Sequence, residues 1–315
     1  MFKIILLLTK DFFFPGIFLL WQWKRQYASK FEALFLALMT GAYITFIYYT
    51  GDWYLYGHYV RYILLALFLI TTIRSLIRVQ QLPFWVKSNP REKFGFYFIS
   101  FFSMLFLSLA VWAFWGKFYS VEPISLKFPF KNGRYYIMEG GDCPLINHRF
   151  HTLPPTPKKF SLGIVKLNAG GTRASGLFPD DPNAYEIFGE TIYSPGDGVI
   201  IAAVDSLENL AKADSASEEE FFGNHIVIQA GENHITLAQL LKGSLQVQPG
   251  DTVIAGQALA RAGNSGESPE PHLHIHASRK NRHPDWQQYW EREGIPMLFE
   301  GKFLVKNDIF EALSK

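Results

Sequence analysis

The chain has 315 residues, 17% of them aromatic and 18% charged, with a formal net charge of +2 at pH 7, and its length gives room for about two domains. Residues 1–120 carry 12 Lys or Arg against 4 Asp or Glu, while residues 121–315 carry 18 against 24, a split that excludes the basic stripe on a folded domain that nucleic-acid binding needs. The single cysteine, Cys143, excludes an intrachain disulfide and a cysteine-built zinc knuckle.

In chain order, residues 4–22 are apolar but carry Lys10 and Asp11 mid-segment, with Pro15 after them. A span, an interfacial helix and a re-entrant segment all stay open, and the lack of a small-residue cleavage site argues against a signal peptide. Residues 33–50 and 94–116 contain no charge, and spanning a bilayer core takes ~20 predominantly apolar residues. Residues 60–77 read as a further span, with Arg61 and Arg74 near its ends, where long side chains snorkel to the headgroups. Lys24, Arg25 and Lys30 precede the second segment, and Arg74, Arg78, Lys87, Arg91 and Lys93 lie between the third and the fourth. The loop near 51–59 has Asp52 and no Lys or Arg, so the positive-inside rule puts both basic loops in the cytoplasm. The expectation is a membrane anchor over residues 1–120, with three or four transmembrane helices in the lipid bilayer, and an extracytoplasmic domain over residues 121–315. The competing reading is a buried helical core, against which the uncharged run 94–116 is long.

From about Val121 the texture becomes short β-rich runs between turn residues: 193–204, 223–230, 234–240, 244–263 and 271–277. Such spacing predicts an all-β domain, a sandwich or partly closed barrel. Residues 206–220 are polar and acidic and read as a solvated insertion, with an acidic docking loop as the alternative. In "VQPGDTVIAGQALARAGNSG", Gly250 and Gly256 suit tight reversals, while Gly263 and Gly266 bracket a loop open to positive φ.

Three histidines follow in "GNSGESPEPHLHIHA". Successive strand side chains point to opposite faces, so His272, His274 and His276 share one. Imidazole ligates zinc and moves protons, and from spacing alone a metal site and a hydrogen-bonded histidine ladder are equally open.

"GNHIVIQ", "VQPGDTVIAGQALARAGNSG" and "EPHLHIHA", in this order, resemble the lysostaphin/LytM-type zinc metallopeptidase family of peptidoglycan hydrolases. The upstream pieces "GGDCPLINHRFH", "IVKLN" and "IYSPGDGVIIAAV" resemble a membrane-anchored branch of it. The resemblance implies a small antiparallel β-fold with an open groove, in which zinc is held by two histidines and an aspartate. It also implies cleavage of peptide cross-links, helped by two further histidines.

Residue by residue, the resemblance makes His274 a zinc ligand and His272 a catalytic histidine, and assigns His276 no role. The other ligand histidine would be His148, with His151 in reserve. Two positions depart from the pattern. Gln239 of "AQL" stands where the family has its second catalytic histidine, and Gly163 of "FSLGIVKLN" stands where it has the ligand aspartate. His234, five positions from Gln239, would face the other way in a regular strand. Asp142 is a candidate substitute carboxylate, and His225 a strand-packing residue. Loss of a ligand and a base together would impair hydrolysis. The expectation is a LytM-like domain with weak or lost Zn2+, binding peptidoglycan peptides or a cell-wall enzyme. The alternatives are an active zinc endopeptidase using substitute ligands, and a carrier or regulatory β-domain unrelated to the wall.

Overall fold

The computed structural model of the chain describes residues 2–86, 90–148, 157–209, 222–266, 268–280 and 292–313. It divides into a helical unit, Met1–Trp53 with His58–Trp115, and a β unit, Gly116–Lys315 together with Tyr54–Gly57.

The first segment is helical throughout. α1 (Phe2–Leu8) runs through a π-helical turn, Thr9–Phe13, into α2 (Phe14–Lys24). The wider turn falls where Lys10 and Asp11 interrupt the apolar run, and Lys10 reaches Asp11 at 3.3 Å and Asp52 at 3.8 Å. α3 (Lys30–Thr50) begins at a capped end: Ser29 Oγ accepts from the Glu32 N–H, and Glu32 accepts from the Ala28 N–H. The short α4 (Trp53–Tyr56) precedes α5 (Val60–Arg78) and α6 (Pro90–Trp115). α3 packs against α2, α5 and α6. Four stretches, Ile5–Lys24, Lys30–Thr50, Val60–Arg78 and Lys93–Trp115, are long and apolar enough to cross a membrane by length and composition. Arg61 does not extend as expected: it is buried and folds onto the rings of Tyr48 and Tyr62 at 5.0 and 4.9 Å. Cation–π contact holds the guanidinium there.

The β unit contains fourteen strands among its described residues. The chief sheet has the order β14-β2-β3-β10-β7-β6-β5-β8, built from β2 (Gly133–Glu139), β3 (Leu162–Leu167), β5 (Gly198–Val204), β6 (His225–Ala230), β7 (Asn233–Ala238), β8 (Thr252–Val253), β10 (Leu273–Lys280) and β14 (Ile309–Ala312). β11 (Arg292–Ile295) adds to β10, and β4 (Thr191–Tyr193) pairs with β9 (Ala258–Arg261). All of these pairs are antiparallel, as the resemblance implies. The third sheet departs from it: β1 (Ile124–Leu126) runs parallel to β12 (Met297–Phe299), which also pairs with β13 (Lys302–Phe303).

One face of the sheet makes the core. Leu273, Ile275 and Ala277 of β10 lie among Leu162, Ile164, Ile226, Ile228, Ile235 and Leu237. The period of two then puts His272, His274 and His276 on the opposite face, as expected. Gly266 has the expected positive φ of 74°, but Gly263 is needed for space instead, since a Cβ there would stand 2.4 Å from Leu241 N.

Candidate functional site

Strand register lays out the histidine face. Glu139 of β2 is paired with Gly163 of β3, Gly163 with His274 of β10, His274 with Ala238 of β7, and Ala238 with His225 of β6. Directly paired residues share a face, so these five form one row. A second row holds His276, Thr236 and Val227, and a third holds Ser278, His234 and Gln229. His225 is therefore on the histidine face. His234 is also on that face, contrary to expectation, because β7 ends at Ala238 and regular alternation does not extend to Gln239.

The two histidines of β10 and His272 just before it are covered, with 6%, 4% and 2% exposure for His272, His274 and His276. His274 Nε2 lies 3.0 Å from His276 Nδ1, so one nitrogen of that pair donates and the other accepts. The ring of Phe222 stands over the group, with centroids 5.6 Å from His276, 6.1 Å from His274 and 5.8 Å from His225. Lys158 Nζ lies 4.5 Å from the Phe222 centroid. His225 Nδ1 lies 2.8 Å from the Gly223 carbonyl, which makes Nδ1 the protonated nitrogen. Burial, and then Arg292, push the pKa of His234 down to about 4, so that ring is neutral at pH 7.

Gln239 sits beside this face in an unusual backbone state. It is 2% exposed and has φ of 65°, the left-handed region that non-glycine residues seldom adopt. Its N–H donates to the Phe222 carbonyl and its carbonyl accepts from the Gly263 N–H. The backbone of Gln239 thus ties Phe222 to the end of β7.

Gly163 is directly opposite His274, where a carboxylate would have to stand. Its φ is not positive, so the strand itself would accept a side chain. The space is taken. A Cβ on Gly163 would meet Met138 Cγ at 2.8 Å, Met138 Sδ at 3.3 Å and His272 Cδ2 at 3.5 Å. Ile137 pairs with Ile164 on the core face, so alternation carries Met138 onto the opposite face beside Gly163, and a bulge in β2 lets Glu139 oppose Gly163 as well. The thioether fills the place that a ligand side chain would use.

The remaining expected ligands fall as follows. His148 is exposed, and its Nδ1 lies 2.9 Å from Glu139 Oε1, which brings it to the Gly163 end of the row. His151 lies outside the described residues. Asp142 is paired with Lys159 at 3.1 Å. Among the described residues, no three His, Cys, Asp or Glu side chains are grouped to hold a metal ion. Catalytic zinc needs three protein ligands around one point. These residues do not supply them, and a buried methionine occupies the carboxylate's place.

Residues 184–286 match the model for peptidase family M23. The match takes in Gln239 and the whole histidine strand, and bears out the resemblance to LytM/lysostaphin-type peptidases; Gly163 and His148 lie outside it. No curated protein matches the chain. Among solved structures it is similar to a zinc-containing peptidase from Vibrio cholerae, at 19% identity over 60% of this chain and 40% of that one, with a TM-score of 0.28. It is also similar to lysostaphin from Staphylococcus simulans, at 21% identity over 34% and 38%, TM-score 0.25. A third is the catalytic domain of a prophage-encoded M23 protein from Enterococcus faecalis, at 14% over 54% and 89%, TM-score 0.26. The chain spans 35% to 40% of the length of the first three solved structures compared.

Sequence reasoning missed Met138, Phe222, Glu139, Arg173 and Glu270. Only Glu270, two residues before His272, had a local signal. The others reach the site through pairings or loops distant in sequence.

Proposed function

We propose that the β unit is a membrane-tethered, extracytoplasmic M23-type domain that binds peptidoglycan peptides, or an enzyme acting on them, without effective hydrolysis. The observation that carries this reading is Met138 standing over Gly163 beside His272. A thioether there neither balances the charge of a dication nor orients a water, and carboxylate ligands do both in hydrolytic sites. Gln239 at the second position has no basic nitrogen, so it cannot take a proton as imidazole would. What the face keeps is recognition chemistry: imidazoles in rows, an aromatic ring at Phe222 and a cation at Lys158. The four apolar stretches of the helical unit support the tether, and the distribution of Lys and Arg between their loops supports the export of the β unit.

A second reading, an active metalloendopeptidase with substitute ligands, draws support from one feature. Glu139 is a carboxylate in the same row as Gly163 and His274, and it holds His148 at 2.9 Å. Full-length protein in detergent, mixed with purified peptidoglycan peptides, separates the two. Peptide binding with no new amino termini supports the binding domain. Chelator-sensitive release of new amino termini, lost on Glu139→Gln, establishes the second reading.

A further inference from the structure

We infer that Arg173, which lies well away from the histidine strand in sequence, is the positioning residue that fixes the tautomer of His272. Arg173 follows β3 and is 1% exposed. Its Nε donates to Glu270 Oε1 at 2.7 Å and its Nη2 to Glu270 Oε2 at 2.6 Å, a two-point clamp on a carboxylate that is itself buried. Nη2 also donates to the Leu177 carbonyl at 2.9 Å, and Nη1 to the Leu55 carbonyl at 3.2 Å. Tyr54 and Tyr185 flank the guanidinium at 5.5 Å each. A planar group bonded along several edges has no freedom to swing, so the Glu270 side chain is fixed in place.

Glu270 transmits that constraint through its backbone. Pro271 follows it, which restricts Glu270 to extended conformations, so anchoring its side chain also aims its carbonyl. That carbonyl lies 2.9 Å from His272 Nδ1 and accepts from Ser268 Oγ at 2.7 Å. Ser268 Oγ is in turn 3.1 Å from His272 Nδ1. The Ser268 proton is spent on the Glu270 carbonyl, so both neighbours of Nδ1 are acceptors. The hydrogen-bond network therefore assigns the proton of neutral His272 to Nδ1 and the lone pair to Nε2. The Cδ2 atom bonded to Nε2 lies on the ring edge that faces Gly163. An imidazole in that state offers Nε2 as an acceptor, chemistry that matches an amide N–H of a peptide. The assignment holds whether the face binds or cuts.

The test uses the full-length chain in detergent with nitrogen-15-labelled histidine at pH 8, His272 being assigned by the signal lost in His272→Gln. The wild type is expected to show the Nδ1–H tautomer alone at His272. Arg173→Lys and Glu270→Gln are expected to lose that single-tautomer signature and show both forms, while Arg279→Gln leaves it intact. A wild-type spectrum with the proton on Nε2 overturns the inference. So does an unchanged His272 signal in a folded Arg173→Lys or Glu270→Gln protein whose melting temperature has fallen, because that outcome assigns Arg173 a purely structural role. Should Arg173→Lys not fold, Glu270→Gln and the wild-type spectrum decide the matter.

Discussion

The two ends of the histidine face treat a polar requirement in opposite ways. On the β10 side the imidazoles are held by named partners: His272 by Glu270 and Ser268, His274 by His276, and His225 by Gly223. On the β2–β3 side the carboxylate position is a glycine, and the space above it is packed with a thioether. The difference shows that losing a ligand in a close-packed interior does not leave a vacant ligand position. A neighbouring side chain fills the space, here Met138 of the adjacent strand, because unfilled volume costs contact energy. Restoring the ligand then requires removing the intruder as well.

Five substitutions probe this contrast. On the ordered side, the buried Arg173–Glu270 pair should be the costliest to break. Arg173→Ala leaves the Glu270 carboxylate buried and unpaired and should lower stability by about 3–5 kcal/mol in thermal or denaturant unfolding. A loss below about 1 kcal/mol, the range of exposed ion pairs, would remove the distinction between the two sides.

On the filled side, Gly163→Asp should cost about 1–3 kcal/mol, because its Cβ lands 2.8 Å from Met138 Cγ. Adding Met138→Ala should recover most of that loss, a coupling of about 0.5–3 kcal/mol in a double-mutant cycle. Strictly additive effects would mean that Met138 does not occupy the aspartate's place.

Phe222→Ala should uncover the rings it covers. Acylation of His276 and His274 by an imidazole-directed reagent, followed by peptide mass spectrometry, should rise several-fold with little change in melting temperature. Equal reactivity with and without the ring would mean that Phe222 does not shield the face.

The smallest effect expected is on pH dependence. The pKa of His234 lies near 4 in the folded chain against an ordinary 6.5, so between those values the unfolded chain binds the proton first. Its contribution is complete above pH 6.5 and is lost as pH falls towards 4. His234→Gln should flatten the stability profile across that window and leave it unchanged at pH 8.

Period-two alternation made the shared face of His272, His274 and His276 legible, and uninterrupted apolar runs made the long helices legible. The absent carboxylate was also legible at Gly163. What replaced it was not, because the β2–β3 pairing that sets Met138 beside Gly163 joins residues distant in sequence that no local pattern connects. The position of His234 was misjudged for a similar reason. Counting back from Gln239 assumes a regular strand, and Gln239 has left the strand with φ of 65°. Arg173 and Glu270 are 97 residues apart, and no local pattern in "GTRASG" marks a partner for a buried carboxylate. Asp142 looked like a free carboxylate in sequence, but Lys159 holds it.

The central claim is that this face keeps the family's histidines without the family's metal centre. The most direct measurement is a zinc titration of the full-length wild-type protein in detergent against a competing chromophoric chelator. The account predicts no stoichiometric uptake in competition with the chelator. One tightly held equivalent of zinc, released on His274→Ala, would contradict it.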